Sequence, residues 1–179
     1  MRVISGSARG RKLIAPPGLD TRPTTDRVKE SIFNIISPYL PAKSVLDLFS
    51  GSGAMGVEAL SRGSEHAVFV ECDKSAFNVT RQNIELARVA DRADVVFGDS
   101  LAYLERAKNQ FDIIFLDPPY NTGLLTSSIN KIAEKNLLSE GGIIVAESEH
   151  LGEEPDGSNF DIIKRAKYGK TTVFLLRKV

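Results

Sequence analysis

The 179-residue chain contains one cysteine, Cys72, and two histidines, and its formal net charge is zero. A single cysteine excludes an intramolecular disulfide and agrees with a reducing compartment. The two histidines, His66 and His150, have no partner at the spacing of metal ligands, so we expect no metal centre. A net charge of zero leaves only the distribution of charge along the chain to indicate a nucleic-acid partner.

Long apolar runs and repeats are also absent. No run of the sequence is long enough to span a bilayer, and the opening residues, MRVISGSARG, lack the apolar core of a signal peptide. Hydrophobic residues make up 42% and charged residues 26% of the chain, which is ordinary for a globular protein. We therefore expect a cytoplasmic monomer that has no membrane partner.

Short apolar runs alternate with helical stretches from Ser44 onward, a pattern typical of a parallel sheet covered on both faces. The chain ends with two strand-like runs around a Tyr-Gly-Lys turn, which leave no room for a helix and indicate an antiparallel hairpin. The predicted class is therefore α/β. The predicted strands are SVLDLF, HAVFVE, ADVVF, FDIIFLD and GIIVAES, and the predicted helices begin near Ala54, Lys74, Leu101 and Leu124.

Two shorter segments precede this alternation. The residues RVISGSARGRKLIAP predict a β-hairpin around a Gly-Ser turn. The residues RPTTDRVKESIFNIISPYL predict a helix that Pro23 opens and Pro38 closes. We therefore divide the chain into an N-terminal extension, residues 1–43, and a main domain, residues 44–179.

A glycine-rich turn follows the first strand of the main domain. Gly51, Gly53 and Gly56 satisfy the pattern G-x-G-x-x-G, and Glu71 ends the next strand, twenty residues after Gly51. Such glycines let the backbone approach a ligand, and the spaced carboxylate binds ribose hydroxyls. NAD and S-adenosylmethionine both carry an adenosine ribose, so the pattern admits either. A tight turn that binds no ligand is the third interpretation.

Two features favour S-adenosylmethionine over NAD. Asp47 ends the first strand, where its charge would repel a pyrophosphate and attract the cationic amino acid group of S-adenosylmethionine. The stretch LDPPYN, residues 116–121, follows the fourth strand, and a nicotinamide enzyme has no evident use for it. Because ligands of open α/β sheets bind at the carboxyl ends of the strands, a row of carboxylates is expected there. The four are Asp47, Glu71, Asp99 and Asp117.

The residues of LDPPYN suit the methylation of an exocyclic amine on a nucleobase. The lone pair of such an amine is delocalised into the ring, and acceptors on its N–H groups would direct that lone pair at a methyl donor. Asp117 and the Pro118 carbonyl can be those acceptors, with Pro118 and Pro119 restricting the backbone. Tyr120 can stack on the base. The alternative is a proline-rich turn with Tyr120 packed on the surface.

These motifs resemble the S-adenosylmethionine-dependent methyltransferases of nucleobase amines, whose [DNS]-P-P-[YFW] motif is matched by residues 117–120. More narrowly, the chain resembles the bacterial 16S rRNA guanine-N2 methyltransferases of the RsmD family. The likeness covers nearly the whole chain, and its two N-terminal blocks are the specific part. The matching blocks are RVISGSARGRKL, RPTTDRVKESIFNII, VLDLFSGSGAMGVEALSRG, VFVECDKSA and FDIIFLDPPY.

The resemblance implies a Rossmann-like class I methyltransferase fold, with a seven-stranded mixed sheet whose last strand is antiparallel. It implies S-adenosylmethionine as methyl donor, with Glu71 on the ribose, Asp99 on the adenine and the first glycines near the methionine part. The implied substrate is 16S rRNA in the 30S subunit or a pre-30S particle, and the product is N2-methylguanine. The cofactor residues are then Asp47, Phe49, Gly51, Gly53, Glu71 and Asp99.

Charge is unevenly distributed, since the first thirty residues carry seven basic and three acidic side chains. This excess predicts that RNA binds the N-terminal extension. A solvated basic face is the alternative. The predicted RNA-binding residues are Arg9, Arg11, Lys12, Arg22 and Arg27.

Three rival functions stay open. An adenine-N6 methyltransferase of DNA or another RNA would use the same motifs, although 179 residues leave little room for a target-recognition domain. A non-catalytic RNA-binding assembly factor could keep the fold, but the intact glycine turn and residues 117–120 argue against it. A nicotinamide oxidoreductase is the third.

Overall fold

The structure, a computed structural model, describes residues 1–17, 26–149, 152–155 and 158–178. No helix within these ranges is long and apolar enough to cross a membrane. The helices of the described ranges are α1 (Asp26–Ile35), α2 (Ala54–Ser61), α3 (Lys74–Ala87), α4 (Ser100–Arg106) and α5 (Leu124–Glu134), with short 3-10 helices at Ser37–Tyr39 and Ala90–Arg92. The strands are β1 (Ser44–Asp47), β2 (His66–Glu71), β3 (Ala93–Phe97), β4 (Phe111–Leu116), β5 (Leu138–Glu149), β6 (Phe160–Tyr168) and β7 (Thr171–Lys178).

These strands form one sheet in the order β3-β2-β1-β4-β5-β7-β6. Strands β1 to β5 are parallel, and β7 runs antiparallel to both β5 and β6. The predicted Rossmann-like class I fold, with its mixed sheet and antiparallel last strand, is confirmed. The strand order reverses between β1 and β4, the position at which open α/β sheets bind ligands.

Each face of the sheet carries its own hydrophobic core, because successive side chains of a strand point to opposite faces. Val45, Ile113 and Ile143 are register neighbours on one face, which α1, α2 and α3 cover. We call it the α1–α3 face. The next residues along the same three strands lie on the other face, which α4 and α5 cover. Continuous apolar strands of this kind are therefore explained by burial on both sides.

The predicted element boundaries in the main domain agree closely with the structure, with one large exception at the start of β5. Strand β1 ends at Asp47 rather than Phe49, and β4 ends at Leu116 rather than Asp117. Helix α4 begins at Ser100 rather than Leu101, because the Asp99 side chain caps it. Strand β5 begins at Leu138 rather than at Gly142 and continues to Glu149. The longer β5 extends the sheet beyond the end of β4.

The N-terminal helix is shorter than predicted. Helix α1 ends at Ile35, and Pro38 lies in the following 3-10 helix, Ser37–Tyr39, rather than closing α1 itself. Pro23, the predicted start, lies outside the described residues. Proline lacks the N–H that a continuing helix would need, so the chain leaves the α conformation before it.

The N-terminal hairpin is also shorter than two full strands, since one pair, Arg2 and Lys12, forms its ladder. Backbone N–H groups in residues 4–8 bind α2 instead. Two of them donate to the Glu58 carboxylate at 2.8 and 3.0 Å, and two donate to the Ser61 carbonyl and hydroxyl oxygens at 2.8 and 2.9 Å. A helix side chain has therefore replaced the partner strand as acceptor.

A buried ion cluster lies beneath this hairpin. The Lys29 ammonium lies 3.2 Å from one Glu58 carboxylate oxygen, and Arg62 Nε lies 2.9 Å from the other. Lys29 also donates to the Arg2 carbonyl at 2.6 Å. Lys29 and Glu58 are fully buried. Because their charges are paired, we call Lys29, Glu58 and Arg62 the paired cluster. It joins the hairpin, α1 and α2, while the division at residue 43 stays a prediction.

Candidate active site

The glycine turn lies directly over the carboxyl end of β1. Gly51 and Gly53 have φ angles of 54° and 76°, in the left-handed region that side chains disfavour. Gly56 has a different role, because a Cβ there would lie 2.3 Å from Cε1 of the Phe69 ring. The first two glycines therefore shape the turn, and the third lets α2 pack against β2. Above Gly51 the space is open, since an added Cβ would meet only the Phe49 carbonyl at 4.0 Å.

Asp47 ends β1 with its carboxylate almost enclosed, at 4% exposure. One oxygen accepts a hydrogen bond from the Gly56 N–H at 3.0 Å. Burial, aided by the charges of Asp117 and Glu71, raises the pKa of Asp47 to about 7, although the Gly56 hydrogen bond opposes the shift. A carboxylate held this way would gain from a cation beside it.

Glu71 is held at the end of β2 by two backbone donors. Its carboxylate oxygens accept from Gly51 N and Asp73 N, both at 2.8 Å. Each carboxylate oxygen offers two lone pairs, so both oxygens keep an acceptor site for a further donor. The half-buried carboxylate is thus fixed in direction and able to accept two hydroxyl groups.

Asp99 and Phe49 occupy less direct positions. Asp99 is exposed, and its Oδ1 caps α4 by accepting from Ala102 N at 2.8 Å. Phe49 is half-buried against the core on the α4–α5 side of the sheet. Neither position tests the predicted contact with adenine or cofactor.

Four predicted carboxylates lie in sequence along the carboxyl edge. Their strands are neighbours in the order β3, β2, β1, β4, so the carboxylates follow as Asp99, Glu71, Asp47 and Asp117. With strands about 4.8 Å apart, the row spans roughly 14 Å. An elongated ligand with several donor and cationic groups suits such a row.

Asp117 begins the loop after β4. Its side chain is open to solvent on one side, yet protein surrounds the carboxylate closely enough to raise its pKa. It accepts no hydrogen bond from any described residue. The loop is stabilised elsewhere, since Thr122 Oγ1 donates to the Pro119 carbonyl at 2.7 Å. The Asp117 side chain therefore makes no hydrogen bond that would stabilise the described part of the fold.

Tyr120 follows on the same loop and is 45% exposed. Its hydroxyl lies beside Thr171 at the start of β7, and partial burial raises its pKa. The ring therefore has a free surface while its hydroxyl end faces the protein. Pro118 is buried and Pro119 is exposed.

Glu147 is the site residue that the sequence reasoning missed. It lies in β5 beside the end of β4, because Leu116 and Ala146 are register partners and Asp117 and Glu147 come next. The residue is 5% exposed, and its carboxylate accepts no hydrogen bond from the described residues. The carboxylate oxygens keep some contact with solvent, because Ser128 Oγ is the one fully enclosed side-chain polar atom without a partner in the described part of the chain. Burial, with Asp117 and Asp47 nearby, raises its pKa well above the usual range. We call Asp47, Asp117 and Glu147 the acidic cluster.

A signal for Glu147 was present in the sequence. The rule that carboxylates gather at strand ends applies to GIIVAES as it does to the other strands. The predicted strand contained Glu147 but did not show that β5 runs past β4, which places Glu147 at the edge rather than in the sheet interior.

Three of the five predicted RNA-binding residues are exposed. Arg9 and Lys12 are exposed on the hairpin, and Arg27 is exposed on α1. Arg11 is half-buried and donates to the Leu86 carbonyl at the end of α3 at 2.6 Å. Arg22 lies outside the described residues. Lys29, which the sequence counted in the basic excess, belongs to the paired cluster and is not available to RNA.

A basic and aromatic surface on α3 adjoins the hairpin. Lys74 and Arg81 are seven residues apart and share one side of the helix. The Lys74 ammonium lies 4.9 Å from the ring centres of both Phe77 and Phe97, and Phe97 is 52% exposed. Arg11 reaches the carboxyl end of α3 from the hairpin, at the end opposite Lys74.

His66 and Asn83 each have a partner within the fold. His66 Nε2 lies 3.2 Å from Asp94 Oδ2, and the described residues include no group of acids, histidines or cysteine that could hold a metal ion. His150 lies outside the described residues. The buried Asn83 side chain accepts from Ile14 N at 2.7 Å and donates to the Ser52 carbonyl at 2.8 Å, which ties the hairpin to the glycine turn.

Comparison with known proteins places these features in a family. A family model described as "Conserved hypothetical protein 95" matches residues 1–177. The chain is 43% identical over 182 residues to "Putative rRNA methyltransferase YlbH" of Bacillus subtilis, covering 99% of each chain. It is 40% identical over 152 residues to "Ribosomal RNA small subunit methyltransferase D" of Haemophilus influenzae, covering 83% of this chain and 79% of that one.

A solved structure agrees with the sequence comparison. The "Putative methyltransferase yhhF from Escherichia coli" superposes with a TM-score of 0.88 at 36% identity, covering 99% of this chain and 97% of that chain. The similarity therefore includes the N-terminal hairpin and α1 as well as the sheet.

Proposed function

This chain belongs to the RsmD family of methyltransferases, and we propose that it transfers a methyl group from S-adenosylmethionine to the exocyclic N2 of a guanine in 16S rRNA. The observation that carries the proposal is Asp117, a carboxylate beside the switch point of the sheet that accepts no hydrogen bond from the described residues. Relatives named for methylation of small-subunit ribosomal RNA support the choice of substrate.

The residues present fit S-adenosylmethionine. Asp47 would hold the ammonium group, because its buried carboxylate has one hydrogen bond and lacks a counter-charge. Glu71 would accept the ribose hydroxyls with its remaining lone pairs, and Asp99 would bind the adenine amine. The bound cofactor supplies an electrophilic methyl group on a sulfonium. A dinucleotide fits less well, because Asp47 would repel its pyrophosphate.

The chain's own residues would orient the acceptor base. Asp117 and the Pro118 carbonyl accept the two N–H groups of the amine and so aim its lone pair. Positioning of this kind lowers a barrier by up to about 7–11 kcal/mol, far more than any single hydrogen bond. The half-exposed Tyr120 ring stacks on the base for about 1–3 kcal/mol, which helps to hold a base removed from its own stack.

The RNA would approach over the hairpin and α3. Exposed Arg9 and Lys12, together with Lys74 and Arg81, can neutralise phosphates, and Phe97 offers an aromatic surface for a base. The substrate is then 16S rRNA in the 30S subunit or a pre-30S particle, bound by a cytoplasmic monomer. The paired cluster holds the hairpin rigidly for this purpose.

The test is to map methylated guanines in small-subunit RNA by mass spectrometry, from cells with and without this protein. One N2-methylguanine should disappear without it and return when the wild-type chain is supplied. The variant Asp117→Ala should not restore it and should lose at least about 100-fold in methylation rate, because the amine is no longer aligned.

The matched control is Asp161→Ala, which removes an exposed carboxylate on β6 and should restore the modification fully. Calorimetry with S-adenosylhomocysteine should show affinities within about threefold for wild type and Asp117→Ala. An unchanged methylation map, or NAD binding without S-adenosylhomocysteine binding, would reject the proposed function.

A further inference from the structure

Glu147 is a buried acid whose carboxylate has no hydrogen-bond or ion-pair partner in the described ranges. It points to the α1–α3 face, because Val145, two residues earlier in β5, belongs to the core on that face. Asp117 follows Phe115, the register partner of Val145, and lies on the same side. The two carboxylates are therefore neighbours at the carboxyl edge, on the same face of the sheet.

The surroundings of Glu147 supply only further negative charge. Asp117 and Asp47 act on it electrostatically, and within the described part of the chain no Lys, Arg or His forms an ion pair with it. Asp117 likewise accepts no hydrogen bond from the described residues, whereas two other acids nearby do. Glu149 accepts a contact from Asn121 Nδ2 at 3.4 Å, and Asp47 accepts the Gly56 N–H. A buried polar group without a partner is disfavoured, so its presence indicates that a ligand completes it.

The chemistry of the target base identifies a suitable donor. Guanine presents N1–H beside its N2 amine, so two neighbouring hydrogen-bond donors lie on one edge. Adenine presents an acceptor, N1, beside its N6 amine. A neighbouring N1–H donor favours the ionised form of a carboxyl group. In that form, a carboxylate next to the acceptor of the amine would bind the first edge and repel the second.

We propose that Glu147 accepts the N1–H of the target guanine while Asp117 accepts from its N2 amine, and that Glu147 thereby selects guanine over adenine. The inference rests on the proposed function and adds the basis of its base specificity. Glu147 is a specificity-determining residue, because it contacts a position next to the reacting amine rather than the amine itself.

The experiment uses 2-aminopurine, which keeps the N2 amine but carries an acceptor at N1. Small-subunit RNA is assembled by ligation with guanine or 2-aminopurine at the methylated position, and kcat/KM is measured for each. The wild-type protein should prefer guanine by about 10–100-fold, the effect of one hydrogen bond to a charged group.

The variant Glu147→Gln should reduce that preference to within about threefold, because an amide can both accept N1–H and donate to an N1 acceptor. Glu147→Asp, which still only accepts, should keep the preference at a lower rate. Glu140→Gln, at the exposed opposite end of β5, is the matched control and should behave as wild type. S-adenosylhomocysteine affinity should stay within about threefold in all three.

Three results would overturn the inference while leaving the proposed function intact. In the first, Glu147→Gln methylates guanine with the wild-type preference. In the second, wild type prefers 2-aminopurine, which would make Glu147 a proton donor. A weakened S-adenosylhomocysteine affinity with an unchanged preference would also reject it by assigning Glu147 to the cofactor. If wild type methylates neither RNA, the proposed function fails as well.

Discussion

Two clusters of charged side chains lie on the α1–α3 face of the sheet, and the fold pairs their buried members in opposite ways. In the paired cluster, Glu58 meets an ammonium, a guanidinium and two backbone N–H groups. In the acidic cluster, the described residues supply a single hydrogen bond to a carboxylate, from the Gly56 N–H to Asp47. Burial with partners stabilises the fold, whereas burial without them provides a place for a ligand.

The largest expected difference follows from breaking the paired cluster. Glu58→Ala would leave the Lys29 ammonium buried without a counter-charge and remove the acceptor for two hairpin N–H groups. The free energy of unfolding should fall by roughly 3–5 kcal/mol, measured by urea denaturation. Glu30→Ala, an exposed position on α1, should change it by less than about 0.5 kcal/mol. A loss below about 1 kcal/mol for Glu58→Ala would contradict the structural role.

In the acidic cluster, we expect removal of a carboxylate charge to raise the free energy of unfolding rather than lower it. The folded-state pKa of Asp47, about 7, lies above its ordinary value of 3.8, so its contribution to stability is present at low pH and declines as pH rises through 7. The wild-type protein should therefore lose roughly 2–4 kcal/mol, relative to Asp47→Asn, between about pH 4 and pH 8. Thermal or urea unfolding of both proteins across this range measures the difference.

The same substitution should weaken S-adenosylhomocysteine binding by about tenfold at pH 8, because the ammonium loses its counter-charge. Asp91→Asn, on an exposed position before β3, serves as control for both measurements. An Asp47→Asn protein that is less stable than wild type at pH 8 would show that this acid belongs with the paired residues instead.

The smallest effect is expected from exposed charge. Replacing Arg9 and Lys12 by Gln should lower RNA affinity by about tenfold and reduce the salt dependence of binding by about two phosphate contacts. Stability and S-adenosylhomocysteine affinity should stay unchanged. The control replaces Lys43 and Lys108, two exposed lysines at the amino edge of the sheet, and should leave RNA affinity at its wild-type value. Equal losses in both proteins would reject a specific N-terminal surface.

Much of the fold was predictable because its elements are local. The strand candidates, the helix starts at Ala54, Lys74 and Leu124 and the C-terminal hairpin all follow from periodicity and turn residues. The hairpin at the N-terminus was predicted in kind but not in detail, since the N–H groups of Ile4 and Ser5 bind Glu58 on α2 rather than a second strand. No local pattern reports a partner more than fifty residues away.

The residues of the candidate site also divide into those that the sequence could predict and those that it could not. Asp47, Glu71 and Asp117 could be named from motif spacing, because each ends a strand and the ends of parallel strands meet at one edge. Glu147 could not be separated from an ordinary strand residue until the length of β5 relative to β4 was known. Their roles with cofactor and base stay predictions.

The amino acid order by itself determined which segments become strands and helices and which acids stand at strand ends, since both depend on spacing along the chain. Tertiary structure alone decided that Lys29 forms an ion pair with Glu58 and that Arg11 joins the hairpin to α3. It also decided that Glu147 of β5 adjoins Asp117. The reason is physical: whether a charge is paired or free depends on what packs beside it, and that neighbour is usually distant in sequence.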